Sequence, residues 1–365
     1  MTITVYVPSP FRGLTGHRSY VEAQGRTVEE LLDDLGVRYP ALRNLLGGDG
    51  DEIPAHINIY VNSHEINTLQ GKATPLKDGD EVAVIPAIAG GQVLTAEQME
   101  RYARQIMIPD IGLAGQRKLL EAKVLVVGAG GLGSPAALYL AAAGVGTLGI
   151  VDNDALELSN LHRQILHHTC SVGRPKVHSA QDTIGQHNPD VQVIPHQMRL
   201  TAANAMEIIS QYDIVVGAVD SYVTRYLLND ACYLAGKPLI DGAVFLFEGQ
   251  ATVFAPGQPC YRCLFPAPPP ASLVPRPSQV GLLGALPGVI GVIQAFEALK
   301  LILGLGDSLA GRLLLFDGLT MDFRRVRTRR DVRCPLCGDD PTIHELVDYD
   351  ELRSPAVAAP GEEGK

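Results

Sequence analysis

Tryptophan is absent from this 365-residue chain, and aromatic residues make up only 5% of it. The cores are therefore built mainly from aliphatic side chains, for which an apolar content of 46% is ample. No stretch approaches the roughly 18 uninterrupted apolar residues of a membrane span. The amino terminus MTITVYVPSP also lacks the basic-then-apolar layout of a secretory signal. The expectation is a soluble, cytoplasmic protein with no membrane partner. Positive charge is scarce too: 30 Lys and Arg stand against 40 Asp and Glu, a net charge of -10. Neutralising a phosphate backbone needs clustered cations over a broad face, so this balance disfavours nucleic acid. The local exception is a run of six arginines from Arg324 to Arg333, read as a solvated strand or rim.

What is present suggests two or three domains. Residues 1–91 read as a module of their own. ITVYVP alternates as a half-buried strand does, and a second short strand follows around Ser19–Ala23. Thr27 is placed as an N-cap with Glu30 three residues on, and Val28, Leu31, Leu32 and Leu35 continue at helical spacing. HINIYVN and DEVAVIPAI supply two later strands. The module ends in Gly90-Gly91, two residues without side chains that can thread a narrow channel and bring a backbone carboxyl close to a phosphate. Here, however, Gly91 is amide-bonded to Gln92.

The order β-β-α-β-β resembles a ubiquitin-like grasp. VNSHEI and LKDGDEVAVIPAIAGG resemble the sulfur-carrier family that serves thiamin, molybdopterin and some cysteine pathways. That resemblance implies an α+β domain whose carboxyl tail, Gly90 and Gly91, carries the chemistry.

After a linker at 92–94 a larger unit is expected over 95–340, followed by a flexible Pro, Ala and Glu-rich tail at 341–365. Thr95 with Gln98 makes a second capping-box spacing, and a helix is expected through Met99–Ile106, ended by Pro109. A further helix near Leu113–Ala122 precedes KVLVVGAGGLGSPAALYLAAAGVGTLGIVDND, which reads as strand, glycine turn, helix and strand. Later strands are expected at Asp190–Pro195, Asp213–Ala218, Lys237–Asp241, Glu248–Phe254 and Arg312–Asp317.

Gly128, Gly130 and Gly133 fit G-x-G-x-x-G, with Gly131 inside the loop, and the following helix presents its positive dipole end to a phosphate. Asp152 lies nineteen residues after Gly133 and suits hydrogen bonds from a ribose. These features alone do not separate ATP from NAD, and the loop by itself leans toward a dinucleotide dehydrogenase. SNLHRQ followed by GRPK shifts the balance, because it sets cationic groups beside the loop. Arg163 can fork phosphate oxygens and Lys176 can act as a mobile point charge, as a triphosphate needs. Each would otherwise read as a surface ion-pair residue.

RYARQ, GAGGLG, VDND, SNLHRQ, GRPK, AVDSY, CYRC, GVIG and CPLCG together resemble the adenylating enzymes related to ubiquitin-activating enzymes, in particular the molybdopterin- and thiamin-pathway adenylyltransferases. The resemblance implies a Rossmann-like α/β domain with a zinc knuckle. It implies that Asp152 holds ribose, that Asn160, Arg163, Gln164 and Lys176 surround the phosphates, and that Asp220 contributes to a magnesium site. It further implies a homodimer in which Arg104 reaches the other subunit's nucleotide. Asp220 also follows an apolar strand at the end where open α/β sheets place ligands. The usual Asp-Asn pair is here Asp220-Ser221, so the neighbouring side chain is a hydroxyl and not an amide.

Cys260-x-x-Cys263 and Cys334-x-x-Cys337 form two chelating pairs that match a closed structural zinc site. Of the other two cysteines, Cys232 falls in a helical pattern and reads as buried, whereas Cys170 has no assigned role. The segment 266–287 reads as a crossover loop over the active site and contains no cysteine, so activation is expected without an enzyme-linked carrier intermediate. The expected reaction is ATP-dependent adenylation of a sulfur carrier's glycine carboxylate, the carrier being the chain's own first domain or a free one. A separate sulfur donor protein would then make the thiocarboxylate, and a processing metalloprotease would cut after Gly91. The alternatives are a non-catalytic scaffold on which the carrier docks and an NAD-dependent oxidoreductase.

Overall fold

The computed structural model describes residues 2–46, 53, 57–86, 94–267 and 281–349. They divide into two compact units, Met1–Lys118 and Leu119–Lys365.

The first unit is built on a five-stranded sheet. Its elements are β1 (Thr2–Tyr6), β2 (Tyr20–Gln24), α1 (Val28–Arg38), α2 (Pro40–Leu45), β3 (Ile57–Val61), β4 (His64–Glu65) and β5 (Glu81–Pro86). The strand order is β2-β1-β5-β3-β4, with β1 and β5 parallel at the centre and the other pairs antiparallel. Side chains alternate across a strand, so Ile3, Val5, Ile59, Val82 and Val84 share one core with Leu31 and Leu35 of α1. Thr27 caps α1 by accepting from the Glu30 N–H at 3.3 Å, but the Glu30 carboxylate takes the Arg26 N–H at 2.7 Å, one residue before the cap. Strand β4 was not expected, because a two-residue ladder is too short to show a period. Asn62 and Ser63, both at positive φ, make the tight turn that joins it to β3.

The same unit continues through α3 (Ala96–Arg101), α4 (Ala103–Ile106) and the start of α5 (Gly112–Glu121). Thr95 forms the expected reciprocal box: its hydroxyl accepts from Gln98 N–H at 3.1 Å while its own N–H bonds Gln98 Oε1 at 3.0 Å. The single helix expected over Met99–Ile106 is instead two short ones, because the chain leaves helical geometry at the fully buried Tyr102 (φ -100°, ψ 9°).

The second unit carries β6 (Lys123–Val127), α6 (Gly133–Ala142), β7 (Thr147–Val151), α7 (Lys176–His187), β8 (Gln192–His196), α8 (Ala202–Ser210), β9 (Ile214–Gly217), α9 (Tyr222–Leu234), β10 (Leu239–Phe245), β11 (Glu248–Phe254), α10 (Tyr261–Leu264), α11 (Ala285–Leu303), β12 (Arg312–Asp317) and β13 (Asp322–Arg327). Its eight-stranded sheet runs β13-β12-β11-β10-β9-β6-β7-β8. The strands from β10 to β8 are parallel and the other three antiparallel. Helices α6, α7 and α11 cover one face around Leu140, Ile184 and Ile290, and α8 and α9 cover the other around Ile208 and Leu228. The order reverses at β6, which lies between β7 and β9. Connections leaving its carboxyl end in opposite directions open the crevice where such sheets bind ligands.

Two expectations are corrected here. Ala285–Pro287, assigned to the crossover loop, form the first turn of α11; residues 268–280 of that loop lie outside the described residues. By length and mean hydropathy (1.7) α11 would also pass as a membrane span. It is a layer helix: Gln294 donates to the carbonyls of Gly217 and Ile240, Glu297 accepts from Leu309 N–H, and a Cβ on Gly291 would sit 2.3 Å from the Leu132 carbonyl of the next helix. Polar groups bonded in this way belong to a protein interior. Arg324, Arg325 and Arg327 lie exposed on edge strand β13, whereas Arg330 bonds the Cys337 carbonyl and Asp339.

The second correction concerns residues 341–349, expected as the beginning of a flexible tail. The N–H groups of Thr342 and Ile343 bond the Pro335 carbonyl, and Asp348 accepts from Ala202 N–H. The Tyr349 hydroxyl meets Asp230 and Arg262, which themselves form a buried bidentate pair. Tyr349→Phe leaves these charges short of a partner and should lower stability by about 1–3 kcal/mol in urea unfolding. An unchanged midpoint would mean that the segment is not docked in solution.

Candidate functional site

The loop after β6 contains glycine for three different reasons. Gly128 has φ +99°, and a Cβ there would lie 2.5 Å from the Ala218 carbonyl. A Cβ on Gly133 would lie 1.8 Å from the Gly128 carbonyl, so the helix can start only where no side chain exists. Gly130 differs, since a Cβ would meet nothing nearer than Gln164 Nε2 at 3.8 Å. Among the described residues nothing fills that space, which suits a ligand's close approach to the backbone. Gly131 faces Pro287 and the Arg163 side chain.

Asp152 ends β7 and braces the loop: one oxygen accepts from Ala129 N–H and the other from Asp154 N–H, each at 2.8 Å. His167, buried beneath the loop, lies 2.9 Å from the Ala129 carbonyl through Nε2 and 3.0 Å from the Ser179 hydroxyl through Nδ1. Burial pushes its pKa down, and the carbonyl requires a proton on Nε2, so it is a neutral prop. The sequence reading missed His167, because only the fold brings it under a loop 38 residues earlier.

The basic segment contributes four side chains. Buried Asn160 accepts from Glu157 N–H and shapes a short turn over Leu158–Asn160. Arg163 is half-buried, its guanidinium on the Ser159 carbonyl and His162 Nε2. Gln164 is buried, and its Oε1 has no partner among the described residues. Lys176 opens α7 and is nearly buried, with its Nζ 2.7 Å from an Asp154 carboxylate that is itself 59% exposed. The expected mobile point charge is thus held by a solvated counter-charge. Asp154 had no expected role and becomes legible only as this partner.

Asp220 lies exposed just past β9, with no partner for its carboxylate among the described residues. The backbone before it is clamped. Arg225 of α9 bonds the Val219 carbonyl at 2.8 Å, the Gly242 carbonyl at 3.2 Å and buried Asp241 at 2.8 Å. Burial raises the Asp241 pKa to about 6 against the pull of Arg225. Arg104 belongs to the first unit, where it lines a cavity described below. Gly90 and Gly91 fall outside the described residues.

The four expected cysteines converge. Their sulfurs all lie within 4.8 Å of one another, with separations of 4.0 Å (Cys260 to Cys263), 3.6 Å (Cys260 to Cys334) and 3.3 Å (Cys263 to Cys337). A tetrahedral zinc with bonds of about 2.3 Å places sulfurs about 3.8 Å apart. Burial and the neighbouring sulfurs push Cys260 up, and burial followed by the Cys263 contact raises Cys337 to about 12. At Cys334 burial is outweighed by the N–H groups of Cys337 and Leu336, which hold it below the ordinary value. Four sulfurs crowded this closely, three of them on buried residues, match the donor set of a closed zinc site.

Comparison with known proteins agrees with this geometry. The ThiS family profile matches residues 5–91 and the ThiF family profile residues 102–336. The chain is similar to the sulfur carrier protein adenylyltransferase of Thermus thermophilus, at 52% identity over 262 residues, covering 70% of this chain and 97% of the relative. It is 50% identical over 263 residues to the adenylyltransferase and sulfurtransferase MOCS3 of Aedes aegypti, covering 72% of this chain and 60% of that relative's length. Among solved structures, Escherichia coli MccB with ATP superposes with a TM-score of 0.58 at 22% identity, covering 65% of this chain and 74% of that one. PaaA does so with a TM-score of 0.58 at 22% identity, covering 72% and 80%. At that identity the likeness is one of fold.

Two measurements test this site. Metal analysis of fresh protein should find one zinc per chain, lost on Cys263→Ser but kept on Cys170→Ser; protein without zinc would reject the centre. Arg225→Met leaves Asp241 buried and unpaired and should cost about 3–5 kcal/mol at pH 8. Asp241 has its pKa raised above the unfolded value, so stability falls as pH rises from about 4 to about 6. Without Arg225 that fall extends to higher pH. The penalty should therefore be smaller at pH 5 than at pH 8, and a penalty independent of pH would count against the pair.

Proposed function

This chain belongs to the ThiF family and carries a ThiS-family domain ahead of it, and from that premise we propose that it activates a sulfur carrier at its carboxyl-terminal glycine. It is a sulfur carrier protein adenylyltransferase with a carrier domain in the same polypeptide. The observation that supports this reading most is the geometry around Gly130. Open space lies at the sheet's switch point, beside the unpartnered Oε1 of Gln164 and within a segment that also supplies Arg163 and Lys176.

In the proposed reaction a carboxylate oxygen of the terminal glycine attacks the α-phosphorus of ATP. The bond from that phosphorus to the bridging oxygen breaks, and pyrophosphate leaves with the electron pair. The products are an acyl adenylate and pyrophosphate. No general base is needed, because the carboxylate is already ionised near neutrality. The chain's part is to position the reactants and stabilise charge. Backbone at Gly128–Gly133 approaches the phosphates, and Asp152 receives the ribose hydroxyls on lone pairs left by its two backbone contacts. Arg163 leaves Ser159 for a phosphate oxygen, and Lys176 is shared between Asp154 and the triphosphate. Asp220 would hold magnesium, which would supply positive charge beside the phosphates. Homodimerisation, with Arg104 serving the partner's nucleotide, belongs to the same proposal. So do a separate sulfur donor that displaces AMP and the absence of an enzyme-linked carrier intermediate.

The Gly91 to Gln92 bond limits what the intact chain can do. An amide oxygen is not the ionised nucleophile the reaction uses, so the uncut chain should not activate its own first domain. We assign that release to a metalloprotease cutting after Gly91. ATP-dependent pyrophosphate exchange with a free carrier ending in Gly-Gly should be supported by the intact chain and lost on Arg163→Ala. Removing one partner of a buried charge contact costs about 2–5 kcal/mol, a drop of well over tenfold. Full exchange in that variant would remove Arg163 from the phosphates. Acyl adenylate trapped on the first domain of an uncut chain would overturn the need for cleavage.

A further inference from the structure

The outward side chains of the first sheet are not those of a wet face. Strand alternation sends Val82, Val84, Ile59 and Val61 toward α1 and leaves Tyr6, Tyr60, Ala83 and Ile85 on the opposite side. A small sheet covered by a helix on one face ordinarily alternates apolar and polar, with the polar side in water. Here Tyr6 is 6% exposed, and Tyr60 and Ile85 are 9%. The two phenols are raised in pKa, burial being the main cause. Met99, Ala103, Ile106 and Met107 of the α3–α4 segment line the other wall of the space over this face. The compact unit accordingly runs to Lys118, so these helices group with the carrier sheet although the ThiF match begins at 102.

The fit is loose at its centre. A cavity of about 260 Å³ remains between the sheet face and the helices, rimmed by Asn62, Ser63, Glu81 and Arg104. At about 30 Å³ per water it has room for several molecules and polar partners to hold them. An apolar contact around a wet centre holds its partner while leaving it exchangeable, since the void removes dispersion contacts.

We propose that the outer face of the carrier sheet is a docking surface whose occupant is the chain's own 94–107 helical segment. This contact keeps the carrier on the enzyme after the chain is cut within 87–93. Release of the tail and release of the carrier are then two separate events. Cutting frees Gly91 as a carboxylate, while the docked domain keeps a high effective concentration near the enzyme that must use it. The inference rests on the carrier reading above but not on the assignment of any phosphate-binding residue.

The test uses the full chain with a sequence-specific protease site introduced between residues 87 and 93, cut to completion and run on size exclusion at about 1 μM, a dilution at which a dissociation constant near that value leaves much of the complex intact. The carrier piece should co-elute with the remainder. Ala103→Arg, which places a charge in the cavity from the helix side without touching the carrier, should weaken retention by about tenfold or more. Ala103→Leu, which fills part of the void, should slow the carrier's loss. Ala83→Arg repeats the disruption from the sheet side, with circular dichroism confirming that the released carrier is folded. A folded carrier eluting alone from the cut parent would overturn the proposal, as would retention indifferent to both arginine variants. Pyrophosphate exchange with free carrier, run on the same samples, reports on the activity separately. Exchange without retention sinks the docking surface alone, and retention without exchange sinks the adenylation reading.

Discussion

The nucleotide crevice depends on a backbone contact in which no side chain fits. Strand β6 ends beneath the loop that follows β9, and Gly128 passes the Ala218 carbonyl so closely that a Cβ would sit at 2.5 Å. Five residues on, Gly133 lies against the Gly128 carbonyl itself. Two glycines therefore set where the turn lies and where α6 begins. Only then does the helix's amino end face the same space as Gly130. The Ala218 N–H also bonds the Val127 carbonyl, which ties the glycine loop to the segment that leads from β9 to Asp220. Two elements ninety residues apart in sequence share one backbone junction.

Around this junction charge is used to hold backbone. Arg225 satisfies the carbonyls of Val219 and Gly242 and is neutralised by Asp241, and Arg262 is fixed by Asp230 beside the first cysteine pair. Buried pairs of this kind add little net stability over apolar packing, because removing both charges from water offsets most of their attraction. Their value here is geometric, since a guanidinium joins several acceptors at once and fixes loops that hydrophobic contact alone would leave loose. Lys176 contrasts with them. Its partner Asp154 is more than half exposed, so the buried lysine is steadied by a counter-charge that keeps much of its contact with water.

The cysteine cluster joins segments more than seventy residues apart, and its two halves are braced differently. Cys260 and Cys263 lie on α10 against α9 through the Arg262 to Asp230 pair, while Cys334 and Cys337 sit in a turn tied by Arg330 and by Ile343 N–H. The chain then returns to α9, where Tyr349 closes over Arg262. The last described residues thus complete the packing around the support of the cysteine cluster.

Much of this was legible from local pattern. Glycine spacing, the Thr95 capping box, the strands at Glu248–Phe254 and Arg312–Asp317, and the two C-x-x-C pairs each depend on neighbours within a few residues, and each stands where the sequence placed it. What sequence missed was non-local or without a period. Helix α11 reads as part of a glycine-proline loop at its start, until Gly291 is seen packed on Leu132 and Pro135 and Gln294 bonded to strand carbonyls. Tyr102 breaks a continuous helical pattern because of where it is buried, which no count of apolar positions reveals. His167, Asp154, Arg225 and Asp241 have ordinary sequence contexts, and only folding brings them to the loop, the lysine and one another. The sequence by itself determined which chemical groups are present and the short-range geometry they can take up, because those follow from steric and hydrogen-bonding rules along the chain. Only the tertiary structure decided which groups are shielded from water, because shielding depends on atoms contributed from elsewhere in the chain.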